Sequence, residues 1–212
     1  WTSFTKLEQY SREYKYVIVM PEGNNGWYTD SAKLENANYE SYIIRELSAE
    51  IEKKFRVKKS RESRAIAGLS MGGFGAMKFA VKYPERFVLA GSFSGALRAA
   101  EWSEKELSVT RWKVLIESVS NSFGAADSEV RKQNDLFGIV RSKSSDDLKI
   151  LPFLYMDCGT EDILVLENQR FAKLLLEKKV AHEFRQLPGA HNWKFWDAQI
   201  QEFLKLSKKF VK

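Results

Sequence analysis

A serine between two glycines is the feature of this chain best suited to chemistry. Residues 68–72 read Gly-Leu-Ser-Met-Gly, with a predicted strand before them and a predicted helix, residues 72–83, after them. A sharp turn from strand to helix exposes a serine hydroxyl, and the glycines let two chain segments pass closely. The pattern therefore predicts that Ser70 is a nucleophile. The alternative, a phosphate-binding turn, is not favoured because the segment lacks the G-x-G-x-x-G and Gly-Lys-Ser/Thr patterns.

Two histidines are available as a base for this serine. His191 follows the last predicted strand, residues 182–187. It therefore lies at the carboxyl edge of the sheet, where the active sites of open α/β proteins are found. His182 begins the same strand and therefore lies at the opposite edge. We expect His191 to be the general base and His182 to be a polar surface residue.

A carboxylate is needed to hold the other nitrogen of the imidazole. The candidates that follow the predicted strand 152–156 are Asp157, Glu161 and Asp162. Asp162 is favoured because the turn before it can carry a carboxylate toward the base, whereas Asp157 is the alternative and is expected to be partly buried with the strand. The order serine, aspartate, histidine along the chain is the order found in α/β-hydrolases.

Acyl transfer also requires backbone donors for the developing oxyanion, and each is worth about 3 kcal/mol. The N–H of Met71, directly after the nucleophile and at the start of a predicted helix, is one predicted donor. The second donor normally comes from a His-Gly loop after an earlier strand, and the sequence contains no such loop. Trp27 is a candidate for substrate contact in an acyl or aryl pocket, with packing under a loop as the alternative.

Strand and helix patterns alternate along the chain and must position these residues. The alternation predicts an α/β protein with a mainly parallel sheet, built as a single domain, residues 1–212. The alternation of strand and helix patterns is interrupted at residues 97–149, which are interpreted as an insertion that resembles a lid. The predicted strands are residues 16–20, 65–69, 87–93, 152–156 and 182–187, and the predicted helices are residues 39–55, 72–83, 104–119, 167–179 and 193–210.

Composition excludes several classes of function. The net charge is +6, but the basic residues of segment 53–64 are interleaved with glutamates around a helix end, so we expect no nucleic-acid partner. No apolar run approaches the roughly 20 residues that cross a bilayer. The single cysteine, Cys158, excludes an internal disulfide bond and is expected to be a buried thiol. The sequence does not indicate where the protein is located in the cell.

Four segments together resemble the esterase family of α/β-hydrolases, which includes tributyrin, feruloyl and acetyl-xylan esterases and S-formylglutathione hydrolases. These segments are residues 66–76, 93–97, 158–162 and 189–193, the last with Trp196. Residues 25–30, Asn-Gly-Trp-Tyr-Thr-Asp, make the tributyrin esterase branch the most similar.

The resemblance implies helices on both faces of the sheet and the triad Ser70, Asp162 and His191. It implies a serine carboxylesterase that hydrolyses short-chain acyl or aryl esters, which are small molecules, through an acyl-enzyme and without a metal or cofactor. A thioesterase of the S-formylglutathione hydrolase type is one alternative. A non-catalytic binding domain that retains the triad is the other.

The sequence departs from the family at its start. Members carry three strands and the His-Gly loop before a tryptophan that Trp1 resembles, and one of those strands lies between the equivalents of residues 16–20 and 65–69. Its loss would expose two strand edges. We therefore expect an N-terminally incomplete domain, complemented by a separate N-terminal segment or by assembly into a homo-oligomer. Direct pairing of residues 16–20 with residues 65–69 is the alternative.

Overall fold

The computed structural model describes residues 1–110 and 112–212, and within them four strands form one parallel sheet in the order β1-β2-β3-β4. The strands are β1 (Ala65–Leu69), β2 (Leu89–Phe93), β3 (Phe153–Gly159) and β4 (His182–Leu187). The registers pair Leu69 with Phe93 and Phe93 with Asp157. Because parallel strands in this register end together, the loops that follow them meet at one edge of the sheet.

Helices connect the strands, as the predicted alternation requires. Met71–Lys82 forms the helix after β1, and the predicted helix at residues 39–55 is continuous but has a π-helical middle, Tyr42–Leu47. The α-helices are α1 (Leu7–Ser11), α2 (Tyr39–Ser41), α3 (Ser48–Lys54), α4 (Met71–Lys82), α5 (Glu104–Thr110), α6 (Lys113–Phe123), α7 (Glu129–Asn134), α8 (Leu136–Ser142), α9 (Ser145–Lys149), α10 (Val165–Glu177) and α11 (Trp193–Ser207). Among the described residues, no helix combines the length and the apolar character needed to span a bilayer.

The predicted strand at residues 16–20 is absent, and this prediction was wrong. The segment has no regular secondary structure, and its Val17 and Met20 side chains are 49% and 48% exposed. Within the described sheet β1 pairs with β2 alone, so direct pairing of the segment with β1 is not observed either. An apolar run becomes a strand only where a neighbouring strand pairs with its backbone, and none of the four described strands pairs with this segment.

The chain divides into two compact units, each described by itself. Unit 1 consists of residues 1–19, 59–97 and 143–212 and contains the whole sheet. Its core on one face of the sheet joins Phe93 and Tyr155 to Ile200 and Phe203 of α11. The apolar residues of α11 recur at helical spacing, so one stripe of the helix is buried against the strands.

Unit 2 consists of residues 20–58 and 98–142 and therefore contains most of the predicted insertion. The insertion is more helical than its sequence indicated, since α5 to α8 lie within it. Arg131 holds the unit together by donating hydrogen bonds to the carbonyl oxygens of Ala100, Trp102 and Gly124. The lid-like character of this segment stays a prediction.

Candidate active site

Ser70 lies on a strained turn between β1 and α4. Its backbone angles are φ 51° and ψ −116°, a region that residues other than glycine rarely occupy. The Ser70 N–H donates to the Phe93 carbonyl oxygen at 2.9 Å, which anchors the turn to β2. A Cβ added at Gly68 would collide with the backbone of Gly72, so the predicted close passage of two chain segments is confirmed.

The loop after β4 brings His191 to Ser70. The distance from His191 Nε2 to Ser70 Oγ is 3.0 Å, and His191 Nδ1 lies 2.9 Å from Asp162 Oδ2. A carboxylate only accepts hydrogen bonds, so the Nδ1–H donates to Asp162 and Nε2 is left to accept from the Ser70 hydroxyl. The three side chains thus form one continuous hydrogen-bonded line.

A helix cap fixes the position of the His191 loop. Asn192 is the N-cap of α11, and its side chain accepts a hydrogen bond from the Phe195 N–H at 3.1 Å. Such a cap stabilises a helix by about 1 kcal/mol because it satisfies one of the unpaired N–H groups of the first turn. Since His191 directly precedes the cap, the start of α11 also fixes the backbone position of His191.

Asp162 is buried yet remains a carboxylate. Burial raises the pKa of its carboxyl, but hydrogen bonds from His191 and the Leu164 N–H outweigh burial, and the net pKa lies below the usual range. The Leu164 N–H donates to Asp162 Oδ1 at 2.8 Å. A carboxylate that stays ionised at neutral pH can hold the imidazole in one tautomer and stabilise its protonated form.

The alternative candidates lie elsewhere. Asp157 is fully buried on β3 beside Tyr155, and burial raises the pKa of its carboxyl well above the usual range. Glu161 is exposed. His182 begins β4, at the opposite end of the strand from the Ser70 site, with its Nδ1 2.8 Å from the Val180 carbonyl oxygen. Only Asp162 of the three carboxyl groups contacts His191 in the described structure.

Met71 and Trp27 complete the set of residues singled out by sequence. Met71 is the first residue of α4, where the N–H groups of the first turn lack partners within the helix and favour negative charge. Trp27 belongs to unit 2 and is only 4% exposed; its Nε1–H donates to Ser118 Oγ at 3.1 Å, and its ring packs edge-on against Trp102. These contacts are those of a core residue, and substrate contact by Trp27 stays a prediction.

Sequence reasoning missed Ser94, which follows β2 and is fully buried. Its φ is 48°, its N–H donates to the Asp157 carbonyl oxygen at 2.8 Å, and its hydroxyl accepts a hydrogen bond from Trp196 Nε1 at 3.1 Å. Its position at the end of a strand beside the Ser70 strand is the signal that could have identified it, because loops at this edge converge.

The chain is similar in sequence and fold to known esterases and serine hydrolases. Residues 1–206 match the family described as "Putative esterase". An acetyl esterase of Caldicellulosiruptor saccharolyticus is 26% identical over 200 residues, which cover 94% of this chain and 74% of that protein.

Two solved structures from Staphylococcus aureus are similar over 97% of this chain. The fluorophosphonate-binding serine hydrolase FphF has a TM-score of 0.83 at 27% identity, with 76% of its chain covered. The S-formylglutathione hydrolase FrmB has a TM-score of 0.75 at 25% identity, with 77% of its chain covered. The fold and activity class expected from the sequence are thus confirmed, whereas the choice of the tributyrin esterase branch stays a prediction. The chain belongs to the "Putative esterase" family, as a serine hydrolase with the α/β-hydrolase fold and carboxylesterase chemistry.

Proposed function

We propose that this protein hydrolyses short-chain acyl or aryl esters through an acyl-enzyme on Ser70, with His191 as general base and Asp162 as its partner. The observation that carries the proposal is the unbroken line from Ser70 Oγ through both nitrogens of His191 to Asp162, with contacts of 3.0 and 2.9 Å. A serine hydroxyl is a weak nucleophile in water, and this line supplies the base that activates it.

The reaction proceeds in two halves. As Ser70 Oγ attacks the ester carbonyl carbon, its proton passes to His191 Nε2, and the Met71 N–H stabilises the oxyanion of the tetrahedral intermediate. The intermediate collapses, the bond to the alcohol breaks, and His191 returns the proton to the leaving alcohol. Water then attacks the acyl-enzyme with the same proton transfers, which releases the acid and restores Ser70.

The nature of the relatives supports an ester substrate with a small acyl group. One relative is named an acetyl esterase, and the similar FphF structure is described as a fluorophosphonate-binding serine hydrolase. Fluorophosphonates react with a serine that is already activated by its base, so they report on the same arrangement without depending on the identity of the substrate.

Labelling with a fluorophosphonate therefore tests the proposal directly. We expect one adduct per chain, on the peptide that contains Ser70, and none in Ser70→Ala. The labelled protein should lose hydrolysis of p-nitrophenyl acetate and butyrate in parallel with adduct formation. Absence of an adduct on the folded protein would instead favour a non-catalytic binding domain that retains these residues.

A thioesterase is the second candidate, and the similarity to FrmB specifically favours it. A thioester undergoes the same attack by Ser70, but the leaving group is a thiolate that needs less help from a protonated His191. Comparison of kcat/KM for p-nitrophenyl acetate and for S-formylglutathione distinguishes the two. A much larger value for S-formylglutathione would replace the ester proposal, whereas a larger value for the aryl ester would uphold it.

A further inference from the structure

The positive charge of the chain is concentrated in one short stretch, residues 53–64, called here the basic segment. The whole chain has 34 basic and 28 acidic residues and a net charge of +6. The basic segment has seven basic residues and one acidic residue, Glu62, which also gives +6. The rest of the chain, with 27 basic and 27 acidic residues, is therefore neutral. A positive charge confined in this way produces a local field that attracts anions.

Most of the basic segment is exposed and lies outside helices and strands. α3 ends at Lys54, and residues 55–60 have no regular secondary structure. The nearest acidic residues before the segment are Glu50 and Glu52 on α3, and Glu50 forms an ion pair with Lys54 at 2.8 Å. Residues 53–61 contain six basic residues and no acidic residue, so their cations outnumber these two acids. The exposed residues are Lys53, Lys54, Phe55, Arg56, Lys58, Lys59 and Ser60.

Phe55 places an aromatic ring among these cations. It lies between Lys54 and Arg56 on extended backbone, with φ −119° and ψ 146°, and it is 48% exposed. An apolar ring flanked by cations suits the boundary of an anionic bilayer, where the ring enters the acyl region and the cations contact the headgroups.

The same charge would attract a nucleic acid, but the apolar residues of the basic segment favour a lipid surface. Proteins that bind single strands stack successive bases on several aromatic rings. Phe55 is the one aromatic residue of the segment, and its other apolar residue, Val57, is aliphatic and has no ring on which a base could stack.

We propose that the basic segment docks on the surface of an anionic lipid bilayer, with Lys53 and Arg56 at the headgroups and Phe55 inserted between them. The inference does not depend on the proposed function. It concerns attachment to a membrane surface, which needs no helix that spans the bilayer.

The position of the basic segment along the chain is compatible with an active enzyme on the membrane. Its last residue, Arg64, directly precedes β1 and therefore lies at the amino edge of the sheet. Ser70 and His191 follow strands β1 and β4 and lie at the carboxyl edge. A bilayer at the amino edge leaves the carboxyl edge open to esters in solution.

Sedimentation with lipid vesicles tests the proposal. We expect the protein to bind vesicles of phosphatidylserine and phosphatidylcholine in equal parts, and not vesicles of phosphatidylcholine alone. Added salt should release it, because salt screens exposed charges. The double variant Lys53→Gln, Arg56→Gln should lower the partition coefficient about 25-fold, at about fivefold for each basic residue near the surface.

The matched control removes two positive charges elsewhere. Lys132 and Lys149 are 61% and 74% exposed and each pairs with an acid, Glu129 and Asp146. The double variant Lys132→Gln, Lys149→Gln has the same net charge as the variant of the basic segment, and its binding should stay close to that of the wild type.

The Phe55 ring is tested separately. We expect Phe55→Ser to lower binding at least about fivefold, because docking withdraws the exposed part of the ring from water. Leu176→Ser removes an apolar side chain that is 70% exposed on α10 and should leave binding unchanged. All these positions are exposed, so circular dichroism and hydrolysis of p-nitrophenyl acetate should stay at the wild-type level.

Four outcomes would overturn the proposal. They are failure of the wild type to bind either kind of vesicle, equal binding to both kinds, an equal loss in the two lysine and arginine double variants, and binding to a single-stranded DNA oligomer without binding to vesicles. The last would assign the basic segment to a nucleic acid. Since none of these measurements uses Ser70, the proposed function is tested independently by its fluorophosphonate adduct.

Discussion

Two carboxyl groups five residues apart show how position determines the charge of a side chain. Asp157 lies on β3 and is fully buried, and burial shifts its carboxyl toward the neutral form. Asp162 is also buried, but the His191 Nδ1–H and the Leu164 N–H donate hydrogen bonds to it and favour the carboxylate. Desolvation raises the pKa of both carboxyl groups. The pKa of Asp162 is nevertheless lowered because hydrogen-bond donors contact its carboxylate.

Asparagine substitutions at these two positions test the assignment of the acid. We expect Asp162→Asn to lower kcat about 10³- to 10⁴-fold, because an amide at this position favours the wrong tautomer of His191. The hydrogen bonds of His191 Nδ1 go to Asp162 in the described structure, so the kcat of Asp157→Asn should stay close to the wild-type value. Steady-state hydrolysis of p-nitrophenyl acetate measures both. A larger loss in Asp157→Asn would reverse the assignment.

The raised pKa of Asp157 also predicts how stability depends on pH. Because the pKa of this carboxyl is raised in the folded protein, the folded protein binds the proton more tightly than the unfolded chain, so this group makes folding less favourable as the pH rises above about 4. Asp157→Asn removes the ionisation. Its free energy of unfolding, measured with urea, should therefore rise relative to that of the wild type between pH 4 and pH 7. An equal difference at both pH values would contradict a raised pKa.

At the scale of elements, the sequence predicted what depends on local pattern. The strand at residues 182–187 has its predicted bounds, and the helix predicted from residue 72 begins at Met71. The strand predicted at residues 152–156 continues to Gly159, because pairing with β4 extends it beyond its apolar run. The strand predicted at residues 16–20 does not form, for the opposite reason. An apolar run carries no information about whether a partner strand exists. The contact of Ser94 with Trp196 joins residues 102 positions apart and leaves no local pattern.

Removing the N-cap of α11 tests whether the start of this helix affects activity in addition to stability. Asn192→Ala should lower the free energy of unfolding by about 1 kcal/mol because the Phe195 N–H loses its acceptor. It should also lower kcat, because His191 directly precedes the cap. The control is Ser144→Ala, which removes the equivalent cap of α9, where Ser144 Oγ accepts from the Asp147 N–H at 3.1 Å.

Both variants should lose a similar amount of stability in urea unfolding, and only Asn192→Ala should lose activity. Equal activity in the two variants would mean that the His191 loop does not depend on the start of its helix.

At the scale of the whole molecule, we expect the exposed apolar run at residues 17–20 to govern association between chains in solution. Val17, Ile18, Val19 and Met20 are 49%, 37%, 38% and 48% exposed, and they follow one another along the chain. Consecutive exposed apolar residues favour association between chains, and so does the edge of β1 that pairs with no other strand of the described residues. The two features together predict a protein whose association depends on concentration.

Charged residues in this run should reduce that association. We expect Val17→Lys to lower light scattering on concentration and to shift sedimentation toward the monomer, because lysine disfavours strand pairing between chains. Since Val17 is about half exposed, the free energy of unfolding should change by less than about 0.5 kcal/mol. Leu176→Lys, at an isolated apolar residue that is 70% exposed on α10, is the matched control and should leave association unchanged. If both variants reduce association equally, net charge is responsible. If neither does, the run does not take part in association and the prediction is wrong.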